Sequence, residues 1–475
     1  MKLHHIKEPQ LEFGRGIHVC PRAGIAEHDV YDARFNARRT KILVGAVGTS
    51  ETLAKLATLI DKCSRPIPPK DSRQPKLYPS FCGFNEAIGF KAAFALEEEI
   101  TRNLIHSDIR YILKIQEHNE RVESAVDLYY RHVKFLAQNR VVDVIMCILS
   151  EELYDAIGKE DSTPAEETLE DPRHDDFFET NFRRALKARV MHLGVPIQIV
   201  RECSLASDPQ GKQQQDDATK AWNLCTALYY KANQTVPWKL VTNMHRPSVC
   251  FVGIGFYQSR DRTVLNTSLA QVFDELGNSV ILRGTPVDIN KENRRPFLTA
   301  EQAYHLLQRA LTEYKIALET SPSRLVVHKS SNFTEGELDG FQTASHDSSV
   351  RALDFVTIFD ADFRLFRDGS YPPWRGTHIE FDKETHLLYT RGAVEYYKTY
   401  PGLYIPQPLE IRIVESDESP GVICREILSL TKMNWNNTQF DGKYPITLKC
   451  ARQVGQVMKY LGPHEEPQIS YSFYM

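Results

Sequence analysis

An almost wholly apolar run of nine residues, 141–149, constrains the fold of this chain more than any other feature. Strands read as continuous apolar runs when both of their faces are buried, and such strands are typical of parallel sheets covered by helices. A helix predicted over 177–193, a short strand over 196–200 and a helix over 218–232 follow along the chain. Because strand and helix alternate, the sequence predicts a small parallel α/β unit.

Two further regions flank this unit. Before it, the sequence predicts a strand over 40–49, a helix over 51–63 and, from the helical spacing of apolar residues, mostly helix over 92–139. After it come a strand over 248–256 and further predicted elements: strands over 263–267, 279–284, 324–328, 354–360 and 410–415, and helices over 299–319 and 448–461. This order predicts a mixed sheet with helices on its faces.

Composition excludes several classes of protein. With 42% hydrophobic and 25% charged residues, the chain has the composition of a globular protein, and 475 residues suffice for two to four domains. No run approaches the length of a transmembrane helix and the N-terminus lacks an apolar signal segment, so we expect a cytoplasmic protein without a membrane partner. The nine cysteines include no C-x-x-C pair, which favours buried thiols over disulfides or zinc sites. The net charge of −4 argues against indiscriminate coating of nucleic acid.

We therefore divide the chain into three segments, residues 1–139, 140–244 and 245–475. The last boundary is predicted to lie between Leu240 and Pro247. Two glycine patterns, 45–48 and 253–258, resemble dinucleotide-binding turns, but each lacks the third glycine that a dinucleotide fingerprint requires. The glycines are more simply explained by plain tight turns.

Three cationic residues and one amide form a cluster that is more informative than the glycine patterns. Arg183 and Lys187 lie four residues apart on a predicted helix, so their side chains project from one face. Gln198 lies on the next strand and Lys231 ends the next helix. Converging cations with an amide donor suit a terminal phosphate, although Arg and Lys at this spacing usually form a solvated helix face.

The segments around these residues resemble the MID domain of Argonaute proteins: 182–188, 196–198, 229–231 and 237–238. The part from Val249 onward looks like their PIWI domain, an RNase H-like fold. The opening segment, with 11–14 and 81–84, is similar to the N-terminal part of short prokaryotic Argonautes. The resemblance implies an α/β protein with a Rossmann-like MID domain and an RNase H-like PIWI domain, preceded by an α/β N-terminal segment.

The resemblance also implies how the end of a guide strand is held. Lys187, Gln198 and Lys231 would bind the guide's 5′ phosphate, and Arg183 stands where the family usually has an aromatic residue or His. The family places its C-terminal carboxylate near this phosphate, often with a divalent cation. Met475 and Gln198 are therefore the expected ligands of a structural Mg²⁺.

The PIWI-like part is expected not to cut nucleic acid. RNase H-like nucleases hold two metal ions with carboxylates or a histidine. The resemblance puts Gly255 at the first carboxylate position and Ser330 at the second, while Lys449 or Cys450 occupies the last. None of these side chains replaces a metal-binding acid, so no catalytic residue is predicted.

A chain that keeps a phosphate pocket without metal ligands would act by signalling. The resemblance implies a guide RNA, a complementary single-stranded DNA target and a partner that carries an APAZ region with an effector, most often a sirtuin-like or TIR domain. Target capture would then activate the effector, deplete NAD and cause abortive infection. Arg260 and Lys329 are further candidates for contacts along the nucleic-acid channel.

Three other functions compete with this interpretation. The first is a guided nuclease that uses Asp261, Glu335 or Glu337 as non-standard metal ligands. The second is a dinucleotide-dependent enzyme built on the glycine patterns. The third is an α/β subunit with a purely structural role.

Overall fold

A computed structural model describes most of the chain. The described residues are 1–35, 38–158, 180–206, 215–241, 248–260, 264–273, 279–289, 296–366, 368, 372–402, 405–462 and 465–475. The predicted boundary between Leu240 and Pro247 falls largely outside them, because 242–247 are not described.

Strands and helices alternate along most of these residues. The strands are β1 (Lys2–His5), β2 (Leu11–Glu12), β3 (Ile17–His18), β4 (Lys41–Gly48), β5 (Ala93–Ala95), β6 (Thr101–Asn103), β7 (Val144–Leu149), β8 (Ile197–Arg201), β9 (Lys239–Leu240), β10 (Val249–Gln258), β11 (Leu265–Phe273), β12 (Ser279–Pro286), β13 (Asp288–Ile289), β14 (Pro296–Phe297), β15 (Arg324–Lys329), β16 (Ala352–Asp360), β17 (Thr377–Glu380), β18 (Thr385–Leu388) and β19 (Leu409–Glu415). The helices are α1 (Pro21–His28), α2 (Ser50–Cys63), α3 (His106–Lys114), α4 (His118–Asn139), α5 (Glu151–Ile157), α6 (Phe182–Val190), α7 (Glu202–Leu205), α8 (Asp217–Asn233), α9 (Ala300–Leu318), α10 (Glu335–Asp347), α11 (Pro420–Leu430) and α12 (Ile446–Met458).

The predicted parallel α/β unit is a five-stranded sheet. Its strand order is β5-β4-β7-β8, with β6 also paired to β4, and every pairing is parallel. Side chains of β7 alternate between two cores. Val144 and Met146 pack with residues of α2 and α8, whereas Ile145 and Cys147 pack with residues of α4 and α6. Both faces of the strand are therefore buried, as its continuous apolar run predicts.

The first part of the predicted helical stretch 92–139 is not helical. β5 and β6 occupy it, and both add to β4 in parallel. The helical prediction is correct only for α3 and α4. Leu96, Ile100 and Leu104 are spaced four apart, as on a helix, but pairing with β4 decides the conformation around them, because tertiary context overrides such local patterns.

The PIWI-like part is built on a nine-stranded mixed sheet in the order β1-β17-β18-β19-β16-β15-β10-β11-β12. β10, β15 and β16 pair in parallel at its centre, and β11 and β12 continue from β10 as antiparallel strands. This arrangement confirms the predicted combination of a parallel α/β unit with an RNase H-like sheet.

Glu8 ties the N-terminal segment to the nine-stranded sheet. Its carboxylate accepts hydrogen bonds from Arg375 Nε at 3.0 and 3.1 Å and from Lys432 Nζ at 2.9 Å. Burial raises the pKa of Glu8, but the charges of Arg375 and Lys432 outweigh it and hold that pKa below its ordinary value. Residues 1–139 thus contribute β4 to one sheet and β1 to the other.

Candidate nucleic-acid interface

Lys231, near the end of α8, carries a buried ammonium group that is 1% exposed. Its Nζ donates hydrogen bonds to Gln198 Oε1 at 2.6 Å, to the main-chain oxygen of Ile197 at 2.9 Å and to that of Met475 at 3.1 Å. Ile197 and Gln198 belong to β8, whereas Met475 is the last residue of the sequence. One ammonium group thus joins a strand, a helix and a distant segment.

Two further cations stand close to this ammonium group. Lys187 Nζ donates to the main-chain oxygen of Tyr474 at 3.2 Å. Burial, followed by the positive charges of Lys187 and Arg183, lowers the pKa of Lys231 well below its ordinary value. Because three cationic groups lie close enough to repel one another, binding of an anion such as a phosphate beside them would relieve that repulsion.

The structure therefore brings together Lys187, Gln198, Lys231 and Met475, which the sequence analysis assigned to one site. Arg183 lies one turn from Lys187 on α6 and lines a small cavity beside Tyr154. The contact of these side chains with a guide phosphate stays a prediction. Arg183 and Lys187, for which a solvated helix face was the alternative, are both half-buried, and Lys187 has a hydrogen-bond partner in Tyr474.

Several groups at this site were missed by the sequence analysis. The main-chain oxygens of Ile197 and Tyr474 have no residue-type signature, so no pattern could have revealed them. Next to the Arg183 cavity, the Arg201 guanidinium lies 3.5 Å from the ring centroid of Tyr154 and pairs with Glu151 at 3.1 Å. An aromatic ring stacked by arginine is a surface suited to a flat base.

The expected magnesium ligands only partly fit a metal ion. Gln198 Oε1 and the main-chain oxygen of Met475 both accept hydrogen bonds from Lys231, so an ammonium group already lies between them. Each oxygen keeps a second lone pair, but Mg²⁺ needs more oxygen ligands and is repelled by the neighbouring cations. These two oxygens could therefore hold Mg²⁺ only together with phosphate oxygens.

Two of the positions where the resemblance expects carboxylates, Gly255 and Ser330, follow the paired part of two adjacent strands. β10 and β15 pair in parallel as far as Ile254 and Lys329, and β10 has a bulge between Ile254 and Gly255. α12 packs against β10 so closely that a Cβ on Gly253 would lie 2.3 Å from the main-chain oxygen of Thr447. Gly253 thus permits helix packing within a strand and forms neither a dinucleotide turn nor the plain tight turn that the sequence analysis favoured. Gly45 lies inside β4, so it does not form a turn either.

The two α12 candidates for the last carboxylate position differ in surroundings. Cys450 is fully buried in the core, whereas Lys449 lines a small cavity with Leu430 and Tyr444. Among the residues that the structure describes, no group of three or more His, Cys, Asp or Glu side chains could hold a metal ion. Asp261, one proposed substitute ligand, lies outside the described residues.

The assignment of Lys329 to the nucleic-acid channel is wrong. Its side chain is fully buried, and its Nζ donates to Glu337 at 2.5 Å and to the main-chain oxygen of Asn332 at 3.1 Å. Glu337 also accepts from the main-chain N–H groups of Leu298 and Thr334, so its oxygens already serve as acceptors within the fold. The charge of Lys329 is already compensated by a buried carboxylate, which leaves none for a phosphate, and Glu337 is a poor substitute metal ligand.

The other two candidates lie nearer the surface. Glu335 is exposed in the first turn of α10. Arg260 follows β10 and reaches across to the five-stranded unit, where it donates to Glu123 at 3.2 Å and to Thr180 at 2.7 Å. Arg260 is half exposed at this junction, so its contact with nucleic acid stays a prediction.

Two buried histidines should make the protein sensitive to acid. Burial lowers the pKa of His328, beside the β15–α12 contact, to about 3 and that of His378 to about 4. Unfolded histidine takes up a proton below about pH 6.5, whereas these two stay neutral, so stability falls as the pH drops from 6.5 towards 4. At pH 5 the loss is about 2 kcal/mol for each histidine. Urea denaturation at pH 7.5 and 5.0 measures it.

Histidine substitutions separate this effect from general acid sensitivity. His328→Gln should reduce the difference in unfolding free energy between the two pH values by about 2 kcal/mol. The exposed His346 provides the matched control, since His346→Gln should leave the difference unchanged. An unchanged difference in His328→Gln would show that His328 titrates normally in the folded protein.

Comparisons with known proteins identify the fold. No protein-family model matches this sequence, and no curated protein matches it either. Solved structures do match. Clostridium butyricum Argonaute, bound to a guide DNA with a 5′ deoxycytidine and to a 19-mer target DNA, has a TM-score of 0.68 at 12% identity, over 99% of this chain and 54% of its own.

Two other Argonautes match in the same way. A. aeolicus Argonaute has a TM-score of 0.58 at 14% identity, over 98% of this chain and 54% of its own. Marinitoga piezophila Argonaute, in complex with a 5′ OH guide RNA, has a TM-score of 0.57 at 11% identity, over 100% of this chain and 59% of its own. The chain therefore has an Argonaute fold and spans little more than half the length of the structures it matches. No helix in the described part of the chain is long and apolar enough to cross a membrane.

Proposed function

We propose that this chain binds the 5′-phosphorylated end of a small guide RNA and captures a complementary single-stranded DNA without cutting it. The observation that carries the proposal is the meeting of Lys187, Gln198 and Lys231 around one buried ammonium group. The site lies within a fold shared with proteins whose structures hold guide and target strands. Base pairing would read the sequence of the target, while the protein holds the end and backbone of the guide.

The positive charge of the site favours a phosphate over a hydroxyl at the guide's end. One of the matched structures holds a guide RNA with a 5′ OH group. A phosphate brings up to two negative charges to three crowded cations, whereas a hydroxyl brings none and leaves the ammonium group of Lys231 uncompensated. We propose that Mg²⁺ joins the site only with this phosphate, whose oxygens would complete its ligand set beside Gln198 and Met475.

We propose that the chain does not cut nucleic acid because of the side chains at the positions where the resemblance expects catalytic carboxylates. Gly255 and Ser330 each follow the last paired residue of β10 and β15, the resemblance assigns them the first two acid positions, and neither side chain can carry a metal ion's charge. A chain of this kind would act as a short prokaryotic Argonaute that signals target capture in the cytoplasm. Its partner would be an APAZ-containing protein with a sirtuin-like or TIR effector, whose NAD consumption would cause abortive infection.

Binding and cleavage measured on the same protein test this function. Fluorescence anisotropy should show at least tenfold tighter binding of a 5′-phosphorylated RNA than of the same RNA with a 5′ OH group, and added Mg²⁺ should strengthen only the former. The loaded protein should then bind complementary but not scrambled single-stranded DNA. Labelled target incubated with Mg²⁺ or Mn²⁺ should stay intact. Cleavage opposite the middle of the guide would instead establish a nuclease with non-standard ligands.

A further inference from the structure

One edge of the nine-stranded sheet is open. Within the described residues, β1 is the end strand, pairs only with β17 and has all four residues exposed. The following residue, Ile6, is buried and donates its N–H to the main-chain oxygen of Gly376 at 2.8 Å, which anchors the strand on its inner side. The outer N–H and C=O groups of such an edge can pair with another strand.

An apolar surface adjoins this edge. Leu3 pairs with Ile379 across the strands, and Phe381 lies two residues further on the same face. Ile379 is fully buried under Ala361 and Leu365, whereas Leu3 is 65% and Phe381 57% exposed. We call Leu3, Phe366 and Phe381 the edge patch; Phe366, in the segment that covers Ile379, is 80% exposed. Contiguous exposed aromatic residues are typical of interaction sites.

The edge patch continues a sheet face that helices cover elsewhere. On β16 this face carries Phe355, which packs against Phe341 of α10. Cross-strand pairs carry the same face outward through β19, β18 and β17 to Leu3. Within the described residues, Ala361 and Leu365 pack with Ile379 and Leu387 on this face. The face carries Glu410 and Arg412 on β19 and is apolar again at Leu387, Ile379 and Leu3, next to the open edge.

The charges beside the edge patch favour a polypeptide over a nucleic acid. Asp382 and Glu384 lie in the turn between β17 and β18, directly after Phe381, and Glu380 ends β17. Lys2 and His4 already pair with Glu380 at 3.6 and 3.3 Å. Lys383 lies between Asp382 and Glu384, so the turn carries one net negative charge, which disfavours a phosphate backbone and favours a basic residue of a protein.

We propose that β1 and the edge patch bind an extended strand of a partner protein, which extends the sheet by one strand. The fitting strand carries apolar side chains at every second residue and a basic residue opposite the acidic turn. The matched Argonaute structures extend well beyond the part that this chain covers. The proposal rests on the proposed function, because it places the signalling partner on this edge.

Co-expression with an APAZ-containing effector protein, the partner proposed above, tests the site. Leu3→Asp combined with Phe381→Asp should weaken the complex at least tenfold, measured by interferometry on the purified chains, because both substitutions put carboxylates into the buried centre of the interface. Ile316→Asp is the matched control, since Ile316 is an equally exposed apolar residue on α9 and should leave affinity unchanged. All three proteins should bind guide RNA alike, which shows that the fold is intact.

The outcomes separate this proposal from the proposed function. A complex that resists both substitutions contradicts the edge as the docking site and leaves the signalling role standing. Wild-type chain that forms no complex, with or without guide and target, contradicts the partner as well as the site. Light scattering that shows a dimer of this chain alone, dissociated by the same substitutions, would assign the edge to a second copy and overturn the partner strand.

Discussion

Replacing Lys231 by methionine is expected to lower the affinity for a 5′-phosphorylated guide by about a hundredfold. Methionine has a similar volume but cannot donate to the oxygens of Gln198, Ile197 and Met475, and it removes a charge that the phosphate would meet at the centre of the pocket. A charge-assisted hydrogen bond contributes about 1.5–3 kcal/mol, and every 1.4 kcal/mol is tenfold in affinity. Anisotropy titrations with 5′-phosphate and 5′-OH guides measure the loss, which should be about twofold for the latter.

A second variant and a control show whether a lower affinity is due to the lost contacts or to misfolding. Lys187→Met alters a half-buried lysine with a hydrogen bond to the oxygen of Tyr474, and should cost about tenfold in the same assay. Lys315→Met removes an exposed lysine from α9 and should change neither titration. If Lys231→Met folds and still discriminates between the two guides as wild type does, the phosphate is held elsewhere.

Replacing Arg324 by methionine should lower the free energy of unfolding by about 3–5 kcal/mol. Arg324 Nε donates to Asp354 at 2.5 Å, and its Nη1 and Nη2 donate to Glu426 at 2.6 and 3.1 Å. These residues join β15, β16 and α11 at the base of the nine-stranded sheet, where Asp354 is fully buried. Without the guanidinium group, two carboxylates remain in the interior without their cation.

The pH dependence of this loss identifies its cause. In the wild-type protein burial already raises the pKa of Glu426, and Arg324 opposes that rise. Without Arg324 the folded-state pKa should rise further, so the folded variant binds more protons than the unfolded one from about pH 4.5 upward. The deficit should therefore shrink as the pH falls from 8 to 5. Urea denaturation at both values checks it, and a deficit that does not change with pH would point to lost packing.

An exposed ion pair provides the matched control for Arg324. Arg412 pairs with Glu410 at 2.7 Å, but its side chain is 48% exposed. Arg412→Met should therefore change the free energy of unfolding by no more than about 1 kcal/mol at either pH. Comparable losses of unfolding free energy for both arginines would show that burial does not increase the contribution of the Arg324 ion pairs to stability.

The architecture could be predicted from the sequence because a strand that is buried on both faces is a continuous apolar run. The runs that became β7 and β10 are almost continuously apolar, and β7 lies between helices. The candidate phosphate residues could also be named, since Lys187, Gln198 and Lys231 occur in segments that resemble a known family. Their types and order are properties of the chain alone.

Only the tertiary structure decided which of these lysines is paired with a buried side-chain carboxylate. Lys231 and Lys329 look alike in sequence, yet one ammonium group meets the oxygens of Gln198 and Met475, and the other is neutralised by Glu337. β5 and β6 likewise became strands because β4 was there to pair with them. The electrostatic state of a lysine and the pairing of a short strand depend on groups far away in the chain, so no local pattern can specify them.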